Sequence, residues 1–232
     1  MKKIHNVLKF SFLLLVTQLV SAGNLKSLQL YYDEVEEAAG GQTMRYLINS
    51  QYVRIDSGDT ASDFILFDVN KNKIFSINHQ DKTILTINAF EWKQPKFDFK
   101  VAVEKQKLEG APKIANKPVF SYSVNAGDKT CTRVYYIKDT YADYMNVMYK
   151  YQQILSGQQV ATLKNTPKEF HTPCFLLDQV YHTGEYYRLG LPVQIVHSRG
   201  YIKSLKDFKE TSVSASLFLL PEGYSDYKPF SE

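Results

Sequence analysis

Apolar and polar positions alternate in short runs along the first half of the chain. Val53 and Ile55 alternate with Arg54 and Asp56, which is the period of a β-strand with one buried face. Glycine, asparagine, aspartate and serine separate the runs, and these residue types favour tight turns. Because parallel strands need crossovers of about a dozen residues, the close spacing predicts an antiparallel meander. The predicted strands are residues 28–35, 43–49, 52–56, 63–69, 73–79, 83–87, 96–103, 119–124, 130–137, 192–197 and 212–219.

The apolar period lengthens to that of a helix after residue 140. Thr140, with Asp143 three residues later, is typical of a helix N-terminus, and Gly157 is typical of a helix end. A second, short helix is predicted at residues 173–182, capped by Thr172. The residues at helical spacing in the first helix are Tyr141, Tyr144, Met145, Met148, Tyr151 and Leu155.

The order of these elements predicts an α+β fold with one dominant antiparallel sheet. The run FILF at residues 64–67 is apolar on both faces, which indicates a strand covered on both sides. A large sheet of this kind must curl to bury its apolar face, so we expect two or three helices packed on its concave face. The length after residue 22, about 210 residues, fits a single β-rich domain over 23–232.

The first 22 residues have the features of a secretory signal peptide. Lys2 and Lys3 precede an apolar run over residues 10–20, which is shorter than the roughly 20 residues that span a bilayer. We expect cleavage after Ala22, and since no cysteine follows the cleavage site, we expect no lipid anchor. The mature protein is therefore expected to be a periplasmic or secreted protein that does not span a membrane.

The apparent basicity of the chain belongs largely to this leader. The chain has 28 Lys and Arg against 24 Asp and Glu, a net charge of +4. Removal of Lys2, Lys3 and Lys9 leaves 25 basic residues against the same 24 acidic ones, a net charge of +1. A surface so balanced has no electrostatic attraction for nucleic acid, which we do not expect as a partner.

Two cysteines, Cys131 and Cys174, occur in a chain predicted to enter an oxidising compartment. We interpret them as one disulfide. The alternative is a reactive thiol at Cys174, because this residue follows Thr172 and Pro173 at a predicted helix start, where a thiol pKa is lowered.

Three groups of side chains combine metal-ligand residue types, but each lacks part of a known site. The first lacks the paired ligands of structural zinc, the second straddles a helix end, and the third lacks the glycine and terminal glutamate of a calcium loop. No nucleophile-elbow, phosphate-loop or dinucleotide motif occurs, so we predict no metal, no cofactor and no catalytic residues. The three groups are His171 with Cys174 and Cys131, His182 with Glu185, and Asp56 with Asp59 and Asp63.

Several runs of the chain resemble the LolA-like superfamily of bacterial periplasmic proteins and, more narrowly, DUF4412-type domains. These runs are YVRIDSGD (52–59), DFILFD (63–68), IFSINH (74–79), GLPV (190–193) and LFLLPEGY (217–224). The resemblance covers most of the mature chain and implies an incomplete antiparallel β-barrel with helices over an apolar cavity. In better-known members that cavity holds acyl chains.

These features lead us to expect a carrier of a hydrophobic ligand, either a lipid or an acylated protein, in the periplasm. The alternative is an envelope interaction protein without a small ligand, whose aromatic side chains form an interface. An envelope hydrolase has only scattered histidines to support it. The methionine stripe of the first helix is either a lid over a cavity or ordinary core. The residues we expect at the ligand are Phe64, Leu66, Tyr144, Met145 and Met148.

Overall fold

The structure is a computed structural model that describes residues 23–37, 40–59, 61–92 and 99–227. The predicted signal peptide lies outside these residues, so its removal stays a prediction. None of the helices in the described ranges combines the length and the apolar character needed to cross a membrane.

Twelve strands of the described chain form one sheet, and all neighbours are antiparallel except the last short strand, which pairs in parallel. The strands are β1 (Asn24–Glu36), β2 (Gly40–Ile48), β3 (Tyr52–Asp56), β4 (Phe64–Asp68), β5 (Lys73–Asn78), β6 (Thr83–Asn88), β7 (Val101–Lys107), β8 (Val119–Ala126), β9 (Lys129–Lys138), β10 (Gly190–His197), β11 (Tyr201–Ser214) and β12 (Ser225–Asp226).

The spatial order is β12-β6-β5-β4-β3-β2-β1-β11-β10-β9-β8-β7, so the sheet is not closed. The antiparallel meander predicted over β1 to β6 is confirmed. Strand β11 joins this meander to the β7–β10 half by pairing with β1 along nearly its whole length. The α+β class with one dominant antiparallel sheet is therefore confirmed.

The prediction for the end of the chain is wrong. We expected a strand at 212–219, but β11 begins at Tyr201, and a 3₁₀ turn occupies Ala215–Phe218. Charged side chains occupy exposed positions of β11 and mask its alternation; they are Lys206, Asp207, Lys209 and Glu210. Strand β7 begins at Val101, five residues later than expected, although residues 93–98 lie outside the described ranges.

Helix α1 (Ala142–Leu163) is longer than predicted. We expected Gly157 to end it, but Gly157 is buried, and a Cβ at this position would lie 3.1 Å from Trp92 Cδ1. Here the glycine permits a close approach rather than ending the helix. The predicted Thr140 cap is also wrong, because the cap residue before the helix is Tyr141, which has a left-handed conformation and makes no side-chain cap hydrogen bond.

The second helix begins as predicted and then widens. Helix α2 (Pro173–Leu176) starts at Thr172, whose Oγ1 accepts a hydrogen bond from Phe175 N at 3.3 Å. It continues as a π-helical turn over Leu177–Tyr181, followed by a 3₁₀ turn over Glu185–Leu189. We call residues 173–189 the helical segment.

The two faces of the sheet bury separate apolar cores. The larger core lies between the sheet, α1 and the helical segment, and it includes strands from both halves of the sheet. The smaller core lies on the opposite face, under the 3₁₀ turn at 215–218. The smaller core contains Leu47, Phe64, Leu66, Phe75, Ile77 and Phe218.

Candidate ligand-binding cavity

A cavity of about 530 Å³ lies on the face of the sheet that carries the larger core. Strands β1 to β4 and β9 to β11 line one side of it, and α1 and the helical segment line the other. The sheet order places the strands that line it next to one another, from β4 through β1 and β11 to β9.

A buried ion pair lies on the two central strands. Glu34 and Lys203 are direct cross-strand neighbours in the β1–β11 register, and Lys203 Nζ lies 3.4 Å from Glu34 Oε1. The hydroxyl of Tyr46 donates to Glu34 Oε1 at 2.5 Å, and that of Tyr201 donates to Glu34 Oε2 at 3.0 Å. We call these four residues the Glu34 cluster. Both oxygens of its carboxylate are therefore held by donors.

Burial sets the protonation chemistry of this cluster. Burial lowers the pKa of Lys203 to about 8, while the neighbouring Glu34 carboxylate acts in the opposite direction. Burial raises the pKa of Tyr46 and of Tyr201 well above the usual value, and Glu34 adds to both shifts. The ammonium also lies 3.8 Å from the centre of the Tyr46 ring and 4.4 Å from that of Tyr32, within the range of cation–π attraction.

A second group of charges lies where the π-helical turn faces strands β9 and β10. Asp178 is buried, its Oδ1 accepts a hydrogen bond from Thr132, and its Oδ2 lies 3.2 Å from His197 Nδ1. Arg199 Nε is 3.8 Å from the same Oδ2. No well-aligned hydrogen bond reaches Oδ2 from any described residue. These four residues are the Asp178 cluster, and it retains an acceptor for a further donor.

The other end of the cavity wall is apolar. Met44, Ile55 and Ile65 lie on the neighbouring strands β2, β3 and β4 and line the cavity in that order towards the β12 edge of the sheet. Leu155 of α1 is a further apolar lining residue. Glu34, Lys203, Tyr201, His197 and Thr132 of the two clusters lie on β1, β11, β10 and β9, on the opposite side of β2 from Ile55 and Ile65. Tyr46 lies on β2 itself, and Asp178 lies on the π-helical turn. The strand wall therefore carries its charged side chains on one side and the apolar side chains of Met44, Ile55 and Ile65 on the other, with the amides of Gln42 and Gln152 also lining the cavity.

Two local features position the helical segment over the cavity. Cys131 on β9 and Cys174 on α2 form a disulfide with Cα atoms 4.9 Å apart, so the predicted bond is confirmed and the alternative of a reactive thiol is wrong. Gly184 has a φ of +72°, and a Cβ there would lie 2.6 Å from Gln152 Cβ of α1. Only glycine fits this turn without displacing the helix.

The structure does not bring the five predicted ligand residues together. Phe64 and Leu66 lie in the smaller core, on the face opposite the cavity, because side chains alternate along β4 and Ile65 takes the cavity face. Met145 and Met148 are buried within the larger core and do not line the cavity. Tyr144 is half-buried, and its hydroxyl donates to Glu210 at 3.0 Å.

The sequence interpretation missed the charged residues of the cavity. Glu34 continues the inward alternation of Leu28, Leu30 and Tyr32. Lys203 is buried in the part of β11 that the sequence analysis did not predict as a strand. A charged residue in register with buried apolar ones was the signal that could have found Glu34. Asp178 carried no such signal, because its burial depends on the π-helical turn.

The three metal-ligand groups considered from the sequence have other roles. Cys131 and Cys174 are bonded to each other, and Asp56 binds two arginines. Burial lowers the pKa of His182, with Glu185 opposing the shift. Within the described ranges no three His, Cys, Asp or Glu side chains are grouped to hold a metal ion.

No protein-family model and no curated protein sequence matches the chain. Among solved structures, PNGF-II in a C2 crystal form is similar over 88% of this chain and 31% of its own, with 13% identity and a TM-score of 0.42. This chain thus spans about a third of PNGF-II. An uncharacterised conserved protein from Thermus thermophilus is similar over 87% of this chain and 89% of its own, with 9% identity and a TM-score of 0.43. At these values the likeness assigns neither a family nor an activity.

Proposed function

We propose that the protein binds an amphiphilic molecule, either a lipid or an acylated protein, in this cavity after export to the periplasm. The observation that carries the proposal is the division of the cavity wall. Met44, Ile55 and Ile65 offer an apolar surface for a hydrocarbon tail. The Glu34 and Asp178 clusters offer charges and, at Asp178 Oδ2, an acceptor without a well-aligned donor for a polar head.

The size of the cavity supports a small-molecule ligand. Its volume of about 530 Å³ lies within the range of roughly 300–1,000 Å³ that is usual for ligand pockets. A buried carboxylate oxygen without a well-aligned donor, such as Asp178 Oδ2, is costly unless a ligand or water supplies one. A head group with a hydroxyl donor meets that need.

The LolA-like architecture, an incomplete barrel with helices on its concave face, is part of the proposal. Six strand-to-strand steps separate β4 from β9 in the sheet. At about 4.8 Å per step, a flat sheet would hold these strands nearly 30 Å apart. Ile65 of β4 and Thr132 of β9 nevertheless line one cavity, which supports a sheet that curls around α1 and the helical segment.

The proposal is tested by binding of a dansyl-labelled undecanoic acid, followed by fluorescence anisotropy. Leu155→Trp places a larger side chain on the apolar wall and should weaken binding about ten-fold, which corresponds to roughly 1.4 kcal/mol. Gln158→Trp is the matched control, since Gln158 is exposed on the same helix and does not line the cavity. This control should bind as the wild type does.

Three outcomes count against amphiphile binding: folded wild-type protein that binds no probe, equal weakening by both variants, or no weakening by Leu155→Trp. Native mass spectrometry of protein purified from its own compartment adds an independent measurement. A co-purifying lipid mass supports the proposal, whereas an empty cavity and a co-eluting protein support the envelope interaction protein instead.

A further inference from the structure

Lys203 is a buried primary amine on the wall of the cavity. It is 5% exposed, and its ammonium contacts one carboxylate and the faces of two tyrosine rings, those of Tyr32 and Tyr46. Lys203 is also one of the residues that line the cavity, so its side chain adjoins the space that a ligand would occupy.

The environment increases the fraction of this amine that is neutral and therefore nucleophilic. Burial lowers the pKa of Lys203 to about 8. At pH 7.5 about a quarter of such amines are neutral, against about one in a thousand for a lysine with the ordinary pKa of about 10.4. Desolvated lysines of this kind attack carbonyl groups to form Schiff bases.

We propose that Lys203 forms an imine with an amphiphilic aldehyde or ketone bound in the cavity. This inference rests on the proposed function and names the reactive group of its ligand. The Nζ lone pair forms a bond to the carbonyl carbon, and the C=O π electrons move to oxygen. A carbinolamine results, and it then loses its oxygen to leave a C=N bond. The carbonyl oxygen departs as water together with the two amine protons, and no oxidant or reductant is needed.

Glu34 is in place to move these protons. Its Oε1 is 3.4 Å from Lys203 Nζ, so it can accept the amine proton on attack and return it to the departing hydroxyl. The hydroxyls of Tyr46 and Tyr201 hold the carboxylate in this orientation. Glu34 therefore has a positioning role and a proton-transfer role at the same nitrogen.

The same strand supplies a matched control. Lys206 Nζ lies 3.4 Å from Asp33 Oδ1, the same distance as in the buried pair, but its side chain is 57% exposed. The two lysines therefore share a strand and the type of partner and differ in burial. A difference in their reactivity reports the cavity environment.

The experiment treats the folded, disulfide-bonded protein with dodecanal and sodium cyanoborohydride at pH 7.5 and locates the reduced adducts by peptide mass spectrometry. We expect Lys203 to be labelled at least ten-fold faster than Lys206. Lys203→Arg, which keeps the positive charge, should remove the main adduct, and Lys206→Arg should retain it. Labelling of Lys203 at the rate of Lys206 or slower in wild-type protein would overturn the proposal, even if the Lys203 variant fails to fold.

The result is separable from that of the binding test. Binding of the dansyl probe without preferential labelling of Lys203 refutes the imine and leaves amphiphile binding intact. Preferential labelling of Lys203 by both propanal and dodecanal, without binding of the dansyl probe, supports the reactive amine and refutes amphiphile binding.

Discussion

Two buried ion pairs on opposite faces of the sheet differ in how completely protein groups surround their charges; we call a fully surrounded pair closed. On the face of the smaller core, Asp56 accepts hydrogen bonds from Arg45 at 2.8 and 2.9 Å, from Arg54 at 2.6 Å and from Gly58 N at 2.9 Å. Arg54 also stacks over the Phe64 ring at 3.6 Å. On the cavity face, Lys203 has Glu34 as its carboxylate partner and borders open space.

The pKa shifts of the two pairs show the same difference in closure. Burial raises the pKa of Asp56, but the hydrogen bonds from Arg45 and Arg54 outweigh it and lower the pKa below the usual value. Lys203 shows the reverse balance, because burial outweighs Glu34 and lowers its pKa to about 8. Asp56 of the closed pair therefore stays ionised at neutral pH, whereas Lys203 of the cavity pair has a pKa only slightly above neutral pH.

The largest expected effect concerns the disulfide, which tethers the helical segment of the cavity face. The bond between Cys131 and Cys174 closes a loop of 43 residues, so the double change Cys131→Ser and Cys174→Ser should lower the free energy of unfolding by about 4 kcal/mol. Urea unfolding measures the loss. Binding of the dansyl probe by the folded variant should weaken as well, because Asp178 follows Cys174 in the same segment.

Strands β3 and β4, which carry Asp56 and part of the smaller core on the opposite face of the sheet, should be unaffected by this change at native conditions. Hydrogen exchange at β3 and β4 of the folded variant should match that of the wild type, since the hydrogen bonds of Asp56 with Arg45 and Arg54, which we call the Asp56 cluster, involve no residue of the helical segment. Faster exchange throughout β3 and β4, at a rate above that of global unfolding, would show that the two faces are not independent.

The second effect distinguishes the two ion pairs directly. Asp56→Asn leaves two guanidinium groups that cannot lose their protons, and we expect a loss of about 3 kcal/mol at pH 7. Since the pKa of Asp56 is lowered on folding, its contribution is present above the usual aspartate value of 3.8. It is lost as the pH falls through the lower folded value, so wild type and variant should then converge.

Glu34→Gln is the matched change on the cavity face. We expect it to cost less than Asp56→Asn, because Lys203 can release its proton when its partner is removed. Urea unfolding of both variants at pH 7 makes the comparison. An equal or larger loss for Glu34→Gln would mean that the cavity pair is as structural as the closed one.

The parts of the fold that the sequence could predict are the ones that depend on neighbours along the chain. Strands β2 to β6 are short β-rich runs separated by tight turns, so their existence and antiparallel order follow from local signals. The cysteine pair was likewise predictable from the composition and the predicted compartment. The long pairing of β1 with β11 was not, because its strands come from opposite ends of the described chain.

The cavity depends on that distant pairing. Glu34 and Lys203 become neighbours only when β1 and β11 pair in register, and no motif joins them in the sequence. The choice of Phe64 and Leu66 identified a strand covered on both faces but could not say which face held a cavity. The sequence shows that side chains of a strand alternate between two faces, whereas the arrangement of the whole sheet decides which of the two faces lines the cavity.

The smallest expected effect is the pH dependence that Lys203 gives to stability. Its pKa is about 8 in the folded protein and 10.5 ordinarily, so between these values the unfolded chain binds the proton that the folded chain has released. Stability therefore rises with pH in this window. From pH 7 to pH 9 the wild type should gain about 1 kcal/mol relative to Lys203→Met, measured by urea unfolding at both pH values.

The window stops at pH 9 because buried tyrosines with raised pKa values act in the opposite direction once unfolded tyrosines begin to ionise. Lys206→Met provides the control and should keep the wild-type rise, since its side chain is exposed. Equal slopes for wild type and Lys203→Met would show that Lys203 keeps its proton through this range, and the contrast with the Asp56 cluster would disappear.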